Sequence, residues 1–264
     1  MSWILLLGLG VLTGAIAGLF GLGGGILLVP ALTLVGFPLV QAAAISLVGV
    51  LLSAISGTWR NWRAGRLQPR ASAEIALFGI PTAALGAWIG DRIPEPRLQE
   101  GFALLILGAI ALIWLRQREE RTLDTHPVEL NGVSSRASMA FPRSYIYIGI
   151  IAGTLSGLFG IGGGIILVPL QMLLLAEPME SAAATSLGAV IAIASAGLAQ
   201  HAWAGNVLWS QGLCVGVGGI AGAQLGVRLA PRLPKTLMQR LFRLLLLAVS
   251  LYLMEQGLAS ELGW

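Results

Sequence analysis

Gly18-Leu-Phe-Gly-Leu-Gly-Gly-Gly-Ile-Leu-Leu-Val-Pro30 is a cluster of glycines set inside an apolar stretch. The chain repeats it as Gly157-Leu-Phe-Gly-Ile-Gly-Gly-Gly-Ile-Ile-Leu-Val-Pro169. The two copies differ only where leucine and isoleucine exchange. Glycine is a poor helix former, so such a cluster interrupts an apolar helix and exposes backbone N–H groups. The matched interruptions predict one structural unit that occurs twice in the chain.

The composition is that of an integral membrane protein. Of 264 residues, 56% are hydrophobic and 11% are charged, and the mean hydropathy is +0.84. The first charged side chain is Arg60, and no charge occurs from Ser181 to Val227. Apolar runs of about 18 or more residues are typical of membrane-spanning helices. We therefore predict an all-α polytopic protein in contact with the lipid bilayer.

The remaining chemistry argues against several classes of protein. The net charge of +4 is spread over short junctions, which indicates membrane topology rather than a nucleic-acid partner. One cysteine, Cys214, and two histidines leave no internal disulfide and no zinc-type cluster. We see no catalytic constellation of side chains. We therefore expect neither an enzyme nor a resident metal or cofactor.

The repeat extends beyond the glycine cluster. Ala42-Ala-Ala-Ile-Ser-Leu47 matches Ala182-Ala-Ala-Thr-Ser-Leu187 after a single shift of register. Between the halves lies a charged segment with proline and glycine, which is typical of a linker. We predict a first transmembrane repeat over 1–115, a cytoplasmic linker over 116–143 and a second transmembrane repeat over 144–264.

Charge predicts how the halves are oriented. Trp59–Arg70 carries four arginines, whereas the equivalent junction, His201–Asn206, has no formal charge. The next junctions swap, because Asp91–Glu100 is nearly balanced and Arg228–Arg243 is strongly basic. Since cytoplasmic loops collect Lys and Arg, equivalent junctions face opposite sides. We predict two inverted repeats with both termini in the periplasm. Each half has either five short spans or three spans plus a re-entrant hairpin.

The glycine breaks are the candidate site. Short helices beginning near Ile26 and Ile165 would present the unpaired N–H groups and partial positive charge of a helix start, which bind anions without a buried cation. Broken helices at matched positions of inverted halves are a recurring transporter plan. The alternative is that the glycines only permit tight helix packing, as expected for Gly14, Gly18, Gly86 and Gly90. The backbone candidates are Gly21, Gly23, Gly24, Gly25, Gly160, Gly162, Gly163 and Gly164.

A few polar side chains occur within the apolar runs. Hydroxyls of Ser46, Thr185 and Ser186 are placed to donate to the same anion, and bonding back to their own helix is the alternative. The weaker candidates are Gln41, Ser53, Ser56, Ser156 and Ser195. Asn61 and His201 occupy equivalent positions, with Gln200 beside the latter, and these three are candidates for a proton site or gate. For His201 we expect the simpler case of a solvated histidine at the membrane interface.

At these residues the chain resembles the TauE/SafE family of membrane permeases, also called the sulfite exporter family. The resemblance rests on both glycine motifs, each ending in Val-Pro, and on the alanine-rich segments ending Ser46-Leu47 and Ser186-Leu187. Ala64-Gly65-Arg66-Leu67 and Ala204-Gly205-Asn206-Val207 also look like the family pattern. The resemblance implies transport of sulfite, sulfoacetate or other sulfur-containing anions across the bacterial inner membrane.

Together these observations predict an inner-membrane exporter of a small sulfur-containing anion, working by alternating access between two halves. An anion channel with the same donors and a membrane scaffold without a substrate are the alternatives. The identity of the anion, the direction of transport, the coupling ion and the oligomeric state are left open by the sequence.

Overall fold

The computed structural model describes residues 3–20, 24–105, 107–108, 142–175, 177–229 and 244. These residues form helices joined by short turns and contain no strand, which confirms the all-α fold class. The helices are α1 (Trp3–Phe20), α2 (Gly25–Leu34), α3 (Leu39–Arg63), α4 (Pro69–Gly90), α5 (95–105), α6 (Pro142–Phe159), α7 (Gly164–Leu175), α8 (Met179–Trp203) and α9 (Trp209–Leu229).

The membrane-spanning prediction is also confirmed. Within the described ranges, α1, α3, α4, α9 and the Glu180–Trp203 part of α8 are long and apolar enough to cross a bilayer, while α2 and α7 are shorter apolar helices. Most of the predicted linker, and the apolar run over 237–254, lie outside the described residues. The domain boundaries therefore stay predictions.

One predicted junction is shorter than expected. The segment Trp59–Arg70 begins inside α3, which continues to Arg63. Arg60 and Arg63 occupy the last turn of this helix, where a positive charge interacts favourably with the helix dipole. The turn itself is closed by Gly65, which adopts the left-handed conformation with φ 68°.

Glycines hold the two halves together. The most extensive helix pairs are α1 with α9 and α4 with α6, and each pair joins one half to the other. A β-carbon added at Gly14 would overlap the backbone of Gly219, and one added at Gly157 would overlap the backbone of Ala83. The packing predicted for Gly14 and its relatives is therefore confirmed: added β-carbons would also meet backbone atoms at Gly18, Gly86 and Gly90.

The helix pairs follow a twofold pattern. The main helix pairs occur in matched sets when each helix is replaced by its repeat counterpart. The pair α1–α9 corresponds to α6–α4, α3–α9 to α8–α4, and α2–α3 to α7–α8. The central pair, α3 and α8, runs antiparallel. Gly57, late in α3, faces Leu187, early in α8, whereas Leu47, early in α3, faces Gly197, late in α8.

The two ends of the bundle differ in charge. At one end, here called the arginine end, the Gln68 Nε2 amide donates to Ser181 Oγ at 2.9 Å and Arg60 donates to Gln224 at 3.1 Å. At the other, the histidine end, the Leu39 N–H donates to Glu95 at 2.6 Å. The arginine end also holds Arg63, Arg66, Arg70 and Arg228 together with Glu74, Glu177 and Glu180, whereas the histidine end holds Asp91, Arg92, Glu95, Arg97, Glu100 and His201. The arginine end therefore keeps an excess of basic groups.

Candidate functional site

The second glycine cluster interrupts the chain between α6 and α7. Gly160, Gly162 and Gly163 have φ of 69°, 73° and 76°, a left-handed conformation that side-chain-bearing residues rarely adopt. Helix α7 begins at Gly164. The predicted break is confirmed, and its glycines are required by the backbone conformation.

The first cluster follows the same plan. Gly24 has φ 85°, and helix α2 begins at Gly25, one residue before the expected Ile26. A β-carbon at Gly24 would lie 3.0 Å from Thr13 O on α1. Two further candidates, Gly21 and Gly23, lie outside the described residues.

The two breaks meet in the interior. A β-carbon added at Gly25 would lie 2.5 Å from the Ile161 Cα, so the start of α2 touches the middle of the second break. Helix α3 closes the other side, since β-carbons at Gly160 and Gly162 would overlap Ala43 and Val50. The glycines thus let three backbone segments converge at one buried point.

Backbone N–H groups at the starts of α2 and α7 border the breaks. In α2, Gly24 O accepts from Leu27 and Leu28, and in α7, Gly163 O accepts from Ile166 and Leu167. The residues just before these donors, at the first two positions of each helix, have N–H groups with no backbone acceptor within the described part of the chain. Four such donors belong to Gly25, Ile26, Gly164 and Ile165. With the positive ends of two helix dipoles, they form an electropositive spot without a charged side chain.

Ser46 faces the same region. It lies on α3 between Ala43 and Val50, the two residues that contact the second break. Its side chain is fully buried, and its Oγ has no hydrogen-bond partner among the described residues. A buried hydroxyl without a partner costs about 1–3 kcal/mol, so a protein rarely keeps one without use.

The other two predicted hydroxyls differ from each other. Ser186 Oγ donates to Ala183 O of its own helix at 3.1 Å, so the back-bonding alternative applies there. Thr185 is fully buried, and its Oγ1 lacks a partner within the described ranges. Its carbonyl accepts from Ser72 of α4 at 2.8 Å, which ties this turn of α8 to α4.

Sequence reasoning missed Gln171. This residue lies in the apolar helix α7, is fully buried, and has neither amide atom hydrogen-bonded to any described residue. The available signal was the single amide within Gly164–Leu175. The weaker candidate Ser156 is likewise fully buried with an unpartnered Oγ. It lies one turn after Ala152, whose carbonyl is next to Gly163.

A narrow crevice runs beside the first break. It is too narrow to admit a water molecule. Its lining combines backbone and hydroxyl groups from α1, α2, α3 and α9, namely Thr13, Gly14, Gly24, Leu28, Gly49, Val50, Ser53, Val215 and Gly219.

The expectation for His201 is wrong. This histidine is 1% exposed rather than solvated, because α8 continues past it to Trp203 and packs it against α6. Its Nε2 lies 3.2 Å from Gly157 O and its Nδ1 lies 3.7 Å from Asp91 Oδ1. Its counterpart Asn61 is also buried, whereas Gln200 is half-buried. None of the three lies at the glycine breaks.

Glu177 is the other unexpected group. It lies between α7 and α8, three residues before Glu180, yet it is only 7% exposed. Burial raises the pKa of its carboxyl, and a hydrogen bond from Ser181 opposes that shift. Within the described residues, no group of three or more His, Cys, Asp or Glu side chains is placed to hold a metal ion.

Comparison with known proteins places the chain. The family model described as "Sulfite exporter TauE/SafE" matches residues 6–253. A "Probable membrane transporter protein" of Xylella fastidiosa (strain Temecula1) is 33% identical, covering 98% of this chain and 97% of its own. The "Probable membrane transporter protein YunE" of Bacillus subtilis is 25% identical over 98% of this chain and its own full length. No solved structure matches. A match over nearly the whole chain confirms the predicted resemblance and the expectation of a non-enzyme: the chain belongs to the TauE/SafE sulfite exporter family.

Proposed function

We propose that this protein is a membrane transporter that exports a small sulfur-containing anion, such as sulfite or an organosulfonate, and that the anion binds between the two glycine breaks. The observation that carries the proposal is the contact of the start of α2 at Gly25 with Ile161 of the second break. The start of α2 lies against the second break, and α7 begins three residues after Ile161, so N–H groups of both helix starts border the site that we propose for a tetrahedral or pyramidal oxyanion.

The polar side chains support an anion over a cation. The lining of the breaks offers N–H and hydroxyl donors, and no carboxylate is among the described residues that line it. Ser46 on α3 and Ser156 on α6 are buried, and neither hydroxyl has a partner among the described residues. A bound anion would accept a hydrogen bond from each. Glycine is needed at both breaks, because an added β-carbon would lie 3.0 Å from Thr13 O at Gly24 and 3.0 Å from Ala152 O at Gly163.

Alternating access between the halves is part of the proposal. The antiparallel α3–α8 pair and the twofold pattern of contacts support an inverted repeat, the arrangement in which two halves rock around a central site. We assign the closed crevice to an occluded state. By the positive-inside rule the arginine end faces the cytoplasm, and both termini then face the periplasm of a bacterial inner membrane.

Sulfite flux into proteoliposomes tests the proposal. Gly163→Leu inserts bulk at the break, and Gly205→Leu is its matched control, because Gly205 has the same φ of 76° but open space around it. We expect Gly163→Leu to reduce sulfite flux at least about tenfold and Gly205→Leu to leave it within about threefold. Size-exclusion profiles and melting curves of both variants establish that they remain folded.

The alternatives give different results. Equal flux for Gly163→Leu and Gly205→Leu contradicts the site as drawn. A channel produces electrically measured currents far above carrier turnover. A scaffold shows no flux, and its melting temperature stays unchanged with sulfite, thiosulfate, sulfate, sulfoacetate and taurine.

A further inference from the structure

We infer that His201, Asp91 and Asn206 form a binding site for the proton that accompanies the anion. The inference rests on the proposed transport function and adds its coupling ion. The site lies at the histidine end of the bundle, where α4, α6 and α8 meet, and is separate from the glycine breaks.

The geometry surrounds the imidazole with acceptors. His201 Nε2 lies 3.2 Å from the carbonyl oxygen of Gly157, and Nδ1 lies 3.7 Å from Asp91 Oδ1. Asn206 Nδ2 donates to the same Asp91 oxygen at 2.7 Å and fixes the carboxylate. The ring is 1% exposed, so water does not substitute for either partner.

A neutral imidazole satisfies only one of these acceptors. Its single N–H donates to Gly157 O, and its other nitrogen then presents a lone pair to the Asp91 carboxylate. Nδ1 accordingly has no hydrogen-bond partner among the described residues. A second proton turns this repulsion into a charge-assisted contact between imidazolium and carboxylate. The arrangement therefore accommodates one more proton than a neutral histidine carries.

Neighbouring charged groups are occupied elsewhere. Arg92, next to Asp91, donates to Trp88 O at 3.0 Å and stacks over the Trp88 ring at 3.6 Å. Glu95 accepts the Leu39 N–H. The α6 group next to the ring is the carbonyl of Gly157. Asn206, in the turn after α8, contacts Asp91 and not the ring itself. Asp91 is thus the charged group, among the described residues, that acts on His201.

The site is linked mechanically to the anion site. Gly157 precedes the break by three residues, and Gly160 N donates to Ser156 O at 2.8 Å where α6 ends. Gly157 also packs directly against Ala83 of α4. Gain or loss of a proton at His201 therefore acts on the last turn of α6 and on its contact with α4, both adjacent to the break.

Nitrogen-15 NMR of the imidazole tests proton binding without requiring transport. The chain has two histidines, so His126→Gln leaves His201 as the only signal. We expect this signal to change from a neutral tautomer to the doubly protonated form as the pH is lowered stepwise from about 8 to the lowest pH at which the protein stays folded. Asp91→Asn should require a lower pH for the same change. A single neutral tautomer across that range, or an unchanged titration in Asp91→Asn, overturns the proposal.

A second arm tests coupling to the anion. Sulfite flux of the wild-type protein should change about tenfold when the external pH is shifted across that titration. His201→Asn, which copies Asn61 of the other half, should keep only the pH dependence that the protonation of sulfite itself produces. A pH dependence in His201→Asn equal to that of the wild type overturns the coupling. Absence of wild-type sulfite flux contradicts the proposed function instead, while the NMR result still decides whether the proton binds.

Discussion

The two halves share a scaffold but not a set of polar groups. The glycines that join the helices recur at matched positions, such as Gly10 with Gly149 and Gly18 with Gly157, and all four are in backbone contact. At several buried positions the two halves differ in polarity. The second half is polar at Ser156, Gln171 and Thr185, opposite Ala17, Leu32 and Ile45, whereas the first half is polar at Thr13 and Ser53, opposite Ala152 and Ile193.

The glycines required for helix packing occur in both halves, whereas the buried polar groups available for binding differ between the halves. Close packing constrains both copies equally, because removing a glycine at either interface would force two helices apart. Ligand or proton binding requires a polar group only once. The two halves therefore contribute different polar groups to the interior, and each half serves as a natural reference for substitutions in the other.

The largest effect is expected at the glycine interface. Gly10→Leu forces a side chain into the backbone of Val215, so we expect loss of most folded protein, at a cost above the usual 1–3 kcal/mol for overpacking. Gly149→Leu should match it. Gly8→Leu is the control, since Gly8 has nothing within 4 Å. Fluorescence-detected size-exclusion measures the folded fraction, and a normal profile for Gly10→Leu would contradict the symmetric scaffold.

Exchanging a polar group for its counterpart should separate stability from transport. Gln171→Leu removes a buried amide and gives the residue found at Leu32. Because that amide has no partner among the described residues, we expect a gain of about 1–3 kcal/mol in unfolding free energy, together with reduced sulfite flux. The reciprocal Leu32→Gln should destabilise the protein. Lower stability in Gln171→Leu would show that the amide has a structural partner.

Glu177 gives a smaller, pH-dependent effect. Because burial raises the folded-state pKa of this carboxyl above its unfolded value, ionisation opposes folding. The penalty is absent below the unfolded pKa of about 4.3 and complete above the folded pKa. Glu177→Gln should therefore raise the melting temperature by a few degrees at neutral pH and by little near pH 4. An equal gain at both values would contradict this.

The smallest effect is expected at the surface. Arg70 and Glu74 form an exposed ion pair at 3.0 Å across one helical turn. Solvent screens such pairs, so Glu74→Gln should change the unfolding free energy by about 0.5 kcal/mol or less. A melting curve measures this, and a loss comparable to that of Leu32→Gln would mean that the arginine end contributes more than the buried polar groups do.

Much of this architecture could be predicted from the sequence. The apolar runs located the helices, and the paired motifs located both breaks, because helix length and glycine conformation are local properties. Burial at helix ends could not be predicted in this way. His201 and Glu177 lie at run ends that resemble solvated junctions, and only the packing of α6 and α4 around them removes them from water. The lone Gln171 was visible but had no motif to single it out.

If both breaks bind one anion, sulfite should raise the melting temperature of the wild-type protein. At about 100 times its dissociation constant, sulfite should stabilise that protein by about 2.7 kcal/mol. We expect Gly24→Leu and Gly163→Leu each to lose this rise in melting temperature. Gly36→Leu and Gly205→Leu should keep it, since those glycines share the positive φ but face open space. A full rise retained in either break variant would contradict a shared site.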